Sequence, residues 1–316
     1  MPVNADKPAL WDADILQSVD MYNAWFIKFA PQAYHENRAK TTMLVENALE
    51  WTNNLMNIET GVLRQHPDIL PMLRMTTAPP IARDRLIGLT GVSKNLVETM
   101  EIKGRFPASM SVAVIEKSLQ RIGQMIMRLA DRDIFTWLNN DHRPTDADIY
   151  RAATIVADRL CGAATDPIVR NAQEQRQLKL IGHWLEQRGY VQKTGVTFNN
   201  MQPGTFSFRL NVPVFLEDRN KINIPVDTVI MPSNASPGDF PLLIEAKSAG
   251  DFTNTNKRRK EEATKYSQLK RNYGEQVRFV LLLCGYFDAG YLKYEAAEGI
   301  DWIWEHRIGD LVQFGV

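Results

Sequence analysis

Apolar residues recur at three- and four-residue spacing through the first half of the chain, the repeat of an amphipathic helix. Segments 42–56, 111–138 and 146–160 show it most plainly. HisArgPro at 142–144 is turn-prone, which makes Asp146 the expected cap of the third segment. ThrAlaProPro at 77–80 divides this half, because the residue before a proline is driven out of the helical region. Asp166-Pro167 predicts the start of a further helix that runs to Arg188 and is ended by Gly189. Beyond it the texture changes to strand-like stretches at 205–214, 221–231 and 241–246. A basic helix over 256–273 follows, then an almost wholly apolar run at 277–286 that reads as a buried central strand. A helix at 289–297 and a short strand at 302–304 close the chain. This order predicts an α/β (α+β) fold, a mixed β-sheet flanked by helices and preceded by a large helical N-terminal region. The expected division is a helical region over 1–165 and a sheet-containing core over 166–316.

Composition narrows the class. Of 316 residues, 44% are hydrophobic, enough to fill a globular core. The 37 basic and 37 acidic residues cancel, so overall charge announces no polyanionic partner and only its distribution can. Cys161 and Cys284 stand far apart among apolar residues, without a Cys/His cluster. That excludes a structural zinc site and fits two small buried thiols in a reducing compartment. The five histidines (35, 66, 142, 183 and 306) show no metal spacing and read as structural. The N-terminus lacks the basic start and apolar stretch of a secretory signal, and no apolar run approaches membrane length. A soluble, cytoplasmic protein is expected.

The chemistry concentrates in IleProValAspThrValIle (224–230) and LeuLeuIleGluAlaLysSer (242–248). Each sets charge into an apolar strand pattern, and burying unpaired charge costs several kcal/mol, so charges there need a reason. Glu245 and Lys247, two positions apart, project from one face of a strand. If the preceding strand is its hairpin neighbour, Asp227 converges on the same point. Two carboxylates and an ammonium suit a hard, oxygen-liganded cation and an activated water. Asp227 and Glu245, with the carbonyl of Ala246 between them, are the expected ligands of Mg2+. Lys247 is expected to orient the water and stabilise charge developing on a phosphorane.

Basic residues gather beside this stretch. Between 247 and 278 there are nine bases against four acids, with Lys257, Arg258, Arg259 and Lys260 in one block. A neutral chain that concentrates positive charge there has the footprint of a phosphate-tracking surface. Glu261 and Lys265, four residues apart, also fit an ordinary helix-face pair. The polar run 248–256 is suited to base edges or backbone phosphates and equally to a simple loop. In the front half, 83–100 has the outline of a helix-turn-helix. Gly91 falls in the turn, Val92 and Val97 face inward, and Lys94 and Asn95 open a recognition helix. Ile87 departs from that motif, and a plain helical hairpin capped by Gly91 is the alternative. The aromatics of 22–31 fall near helical spacing and read as core or dimer interface.

ProValAsp at 225–227, the interval to Glu245, and GluAlaLys at 245–247 together resemble the PD-(D/E)xK nuclease signature, with one residue inserted between the proline and the aspartate. The helical front half, TyrAsnAlaTrpPhe and the block 245–260 widen this to a resemblance with XamI-like type II restriction endonucleases. The resemblance implies a restriction-endonuclease-like core, magnesium-dependent hydrolysis of double-stranded DNA, and a homodimer acting on a palindrome, with a hint of a GTCGAC-like site. It implies that an acid on the preceding helix completes the metal shell, for which Glu174 is the candidate, although Glu174 also fits a solvated helix charge. It further implies a glutamine or lysine near the site from the following helix, Gln268 or Lys265. The competing expectations are another PD-(D/E)xK nuclease (repair, junction-resolving or modification-dependent) and a non-catalytic helix-turn-helix regulator.

Overall fold

The structure, a computed structural model, describes residues 2–139, 143–215, 221–253 and 255–316, with the side chains of 255–258 left out. In chain order the elements are α1 (Pro8–Trp51), α2 (Thr60–Gln65), α3 (Leu70–Met75), α4 (Arg83–Thr90), α5 (Lys94–Lys103), α6 (Val112–Leu129), α7 (Asp146–Glu186), β1 (Val191–Gln192), β2 (Thr205–Phe215), β3 (Lys221–Met231), β4 (Leu242–Ala249), α8 (Thr255–Tyr273), β5 (Arg278–Gly285), α9 (Ala289–Ala297) and β6 (Asp301–Trp304). Contacts divide the chain into two compact units, Met1–Phe29 with Arg170–Val316, and Ala30–Val169. The second is all-helical, around a core that includes Leu49, Leu63, Leu70, Leu96, Leu119 and Phe135. Among the described residues, no helix is long and apolar enough to cross a membrane.

The first unit holds a six-stranded mixed sheet in the order β1-β2-β3-β4-β5-β6. β2, β3 and β4 run antiparallel in turn, while β1 joins β2, β5 joins β4 and β6 joins β5 in parallel. Alternation assigns the faces. Leu243, Phe279, Leu281, Leu283, Trp302 and Trp304 pack into one layer with Leu269 of α8 and Leu292 of α9. Leu242, Ile244, Val280, Leu282 and Ile303 pack into the other with Ile181, Trp184 and Leu185 of α7. β5 lies between two parallel neighbours with seven of its eight residues buried, hence its almost unbroken apolar sequence. From the N-terminus, Trp11 joins the α8 side, edge-to-face on Trp302 at 5.5 Å.

Helix boundaries differ from expectation in several places: the 42–56 pattern belongs to α1, which ends at Trp51, and the 111–138 pattern is helical as α6 only to Leu129. Two further differences fall on α7. Asp166-Pro167 does not start a helix: α7 passes through Pro167. Proline forfeits a backbone hydrogen bond inside a helix, at ~3 kcal/mol. Here buried anchors stand on both sides, Val156, Ala157 and Leu160 before it and Leu178, Ile181 and Leu185 after it. Asp146 is not the cap either. Thr145 Oγ1 accepts the Asp148 backbone N–H at 3.2 Å, and Asp148 Oδ2 accepts the Thr145 N–H at 3.1 Å, a reciprocal capping box one residue earlier.

Candidate active site

The site begins with a fault in the sheet. In β2, Phe206 faces the α7 layer, but Leu210, Val212 and Val214 face the α8 layer, so the alternation slips between them. In β3 the same slip separates Val226 from Val229. Both slips bracket one cross-strand position, Arg209 opposite Asp227, between the pairs Phe208–Thr228 and Leu210–Val226. Arg209 takes φ +52°, a left-handed conformation that costs a side-chain-bearing residue about 1–2 kcal/mol. β3 and β4 also part here, since their ladder runs from Ile230–Leu242 to Thr228–Ile244 and no further. Past that point the Asp227 side chain takes over the work of a backbone acceptor. Its Oδ2 accepts the Ala246 N–H at 2.8 Å.

Asp227, Glu245, Ala246 and Lys247 then line a cleft of about 300 Å³ with Glu174 and Gln177 of α7. Glu245 and Lys247 do share a face, with Lys247 Nζ donating to Glu245 Oε1 at 3.1 Å. Lys265 of α8 donates to the same oxygen at 2.8 Å and to the Pro225 carbonyl at 2.9 Å. The other oxygen, Glu245 Oε2, is buried without a hydrogen-bond partner. Burial, joined by the negative charge of Glu245, pushes the Asp227 carboxyl up to about 6, although the Ala246 N–H and Lys247 pull the other way. Behind the cleft, Glu262 of α8 lies 3.5 Å from Lys247 Nζ and accepts the Tyr291 hydroxyl at 2.6 Å. Burial works against the Lys247 ammonium, but Glu245, Glu262 and Asp227 together outweigh it and raise its pKa. Burial, reinforced by Glu262, drives the neighbouring Glu295 carboxyl up to about 9. A neutral Glu295 can therefore donate to Glu262 and leave it as the counter-charge of Lys247.

The remaining sequence candidates separate. Glu174 lines the cleft, but its Oε1 takes Nε and Nη2 of Arg209 at 3.0 and 2.7 Å. Arg259 lies 4.8 Å over the Tyr294 ring, Lys260 is exposed, and neither lines the cleft. Gln268 is half-buried one turn beyond Lys265 and does not line it. The side chains of Lys257 and Arg258 lie outside the described residues. Lys94 and Asn95 are exposed at the start of α5, after a three-residue turn in which Gly91 takes φ +64° and Val92 is buried. Tyr22 is buried edge-to-face on Tyr286, while Phe26 and Ile27 of the same helix are exposed. Two contributors escaped the sequence reading. Gln177 donates to the Lys247 carbonyl at 3.3 Å and accepts the Ser248 hydroxyl at 3.0 Å, fixing the end of β4. Glu262 looked like one acid in a charged helix, and only its i+3 spacing to Lys265 marks a shared face.

The donor set fits a magnesium ion, which takes one or two carboxylates and completes its shell with water and substrate oxygens. The orphaned Glu245 Oε2 and the crowded Asp227 carboxyl are what a divalent cation would satisfy. Among the described residues no group of three or more His, Cys, Asp or Glu side chains is placed to hold a metal ion by itself.

A crystal structure of protein VC1899 from Vibrio cholerae aligns over 90% of this chain and 57% of its own length, at 12% identity and a TM-score of 0.27, too distant to carry an argument. The type II restriction enzyme SalI of Streptomyces albus G is 53% identical over 316 residues, covering 99% of each chain. The model of the XamI restriction endonuclease family matches residues 53–304, a span that takes in most of the helical unit and every cleft residue named above. With most of its length matched by that model, the chain belongs to the XamI restriction endonuclease family.

Proposed function

We propose that this type II restriction endonuclease cuts duplex DNA by magnesium-dependent hydrolysis in the cleft at the β3–β4 fork, as a PD-(D/E)xK enzyme. The observation that carries the reading is convergence: Asp227 and Glu245 meet where two strands part, with Lys247 Nζ 3.1 Å from Glu245 Oε1. Asp227, Glu245 and the Ala246 carbonyl would hold the cation. The chemistry such a cation supplies is Lewis-acid polarisation of a phosphate oxygen and a more acidic bound water. The ammonium of Lys247 orients that water and offsets charge building on the phosphate oxygens. Glu262 and Tyr291 keep the ammonium aimed, and Gln177 holds the backbone that carries it. Glu174 is a further candidate acid once Arg209 lets go of it. A homodimer acting on a palindrome fits such an enzyme, because a two-fold enzyme cuts both strands alike, and GTCGAC is the first sequence to try. The helical region over 1–165 would serve recognition or dimerisation, with Lys94 and Asn95 offered to DNA from the start of α5.

Incubating unmodified plasmid with the protein and magnesium tests this reading. Discrete fragments that vanish with EDTA are expected, mapping to GTCGAC if that site is right. A smear, or cutting that persists in EDTA, would refute it.

A further inference from the structure

Beside the cleft, a groove of about 640 Å³ runs over β1, β2 and β3. Its lining includes Lys193, Arg209 and Lys221 and the amides of Asn199, Asn211 and Asn223, and no acidic side chain among the described residues. Lys193 and Lys221 are exposed and pair with no carboxylate among the described residues. Among its described lining residues the groove carries three cations, of which Arg209 is held by Glu174, and no acid, a locally positive surface in a chain of equal acids and bases. The sheet fault explains why it stands open. After the slip at Arg209 the apolar residues of β2 turn to the α8 layer, and Asn211 and Phe215 come out exposed on the strand.

Groove and cleft share a wall. Arg209 lines the groove, and its guanidinium holds Glu174, which lines the cleft. A polyanion lying in the groove would therefore pass Arg209 on its way to Asp227 and Glu245.

We propose that this groove seats the sugar-phosphate backbone of the substrate duplex beside the scissile bond, with Lys193, Arg209 and Lys221 meeting separate phosphates along β2 and the asparagine amides on neighbouring oxygens. This rests on the reading of the cleft as a DNA-cutting site. Arg209 is the positioning residue between the two: a phosphate that engages it competes with Glu174 and frees that acid toward the cleft. Binding of the right backbone geometry and completion of the acid set are thereby one event.

The test is a salt titration of DNA binding. A labelled duplex carrying a site that the wild type cuts is bound without divalent metal, and anisotropy gives affinity against salt concentration. Each phosphate contact contributes about 0.9 to the slope of log affinity against log salt. The exposed pair Lys193→Gln/Lys221→Gln should lower that slope by about 2 and weaken binding at least tenfold. Lys193→Arg/Lys221→Arg should restore both. Affinity and slope equal to wild type in the glutamine pair would overturn the proposal, as would loss that the arginine pair fails to restore. Cleavage by the wild type with magnesium, run on the same duplex, tests the nuclease reading by itself. Cutting with an unaltered slope sinks only the groove.

Discussion

Asp227→Asn offers a quantitative test of how the cleft is strained for function. The Asp227 carboxyl is lifted from its ordinary 3.8 to about 6, chiefly by burial and then by Glu245. Below pH 4 the acid is neutral folded or unfolded and the lift has no effect. Between 4 and 6 the folded protein keeps a proton that the unfolded chain has released, so stability falls as pH rises. Above 6 the whole penalty applies, on the order of 3 kcal/mol. Asparagine keeps an oxygen for the Ala246 N–H, so it removes the charge and spares the hydrogen bond. In EDTA the variant should be more stable than wild type at pH 8 by about 2–3 kcal/mol. The gap should close as pH drops from 6 to 4. Urea unfolding followed by far-UV circular dichroism at several pH values measures it. Magnesium at pH 8 should then stabilise the wild type more than the variant, because ligand binding to the folded state adds stability by mass action. A variant equal to or weaker than wild type at pH 8, or a gain independent of pH, would refute the account of crowded carboxylates.

Two other perturbations follow from the same geometry. Glu262→Gln keeps the acceptor for the Tyr291 hydroxyl but removes a negative charge 3.5 Å from Lys247 Nζ. The Lys247 ammonium should lose its proton at lower pH, so the alkaline limb of the rate profile moves down and single-turnover cleavage slows by about tenfold; an unmoved limb would show that Glu262 is only structural. Gly285→Ala acts on the fold, since a Cβ there would stand 2.1 Å from the Ala249 carbonyl and φ is +100°. It should destabilise by about 3 kcal/mol or more, read as a lowered thermal midpoint, and an unchanged midpoint would contradict the packing at the end of β4.

The residues of the proposed site stood out because charge interrupts apolar strands: Asp227 amid Ile224, Val226 and Val229, and Glu245 after Leu242, Leu243 and Ile244. Strands β2 to β6 and helices α8 and α9 were legible because each buried face repeats at its own period, whereas the two-residue β1, exposed at the sheet edge, left no such pattern. Even the sheet fault left a trace: apolar residues at 222, 224 and 226 give way to apolar residues at 229 and 231, a change of phase at Asp227. What stayed hidden depends on residues far apart in sequence. Trp11 against Trp302, Gln177 on the end of β4, and Glu262 behind Lys247 have no local signature. Pro167 misled because a local rule of helix breaking met a helix anchored on both sides.

In the proposed mechanism Lys247 acts on the reacting phosphate. Single-turnover cleavage of a cognate duplex by Lys247→Ala, with enzyme in excess and magnesium present, tests it most directly. Removing one such donor costs about 10²–10³ in rate. A fall of that size is expected, with DNA affinity within a few-fold of wild type. A rate near that of wild type would contradict it.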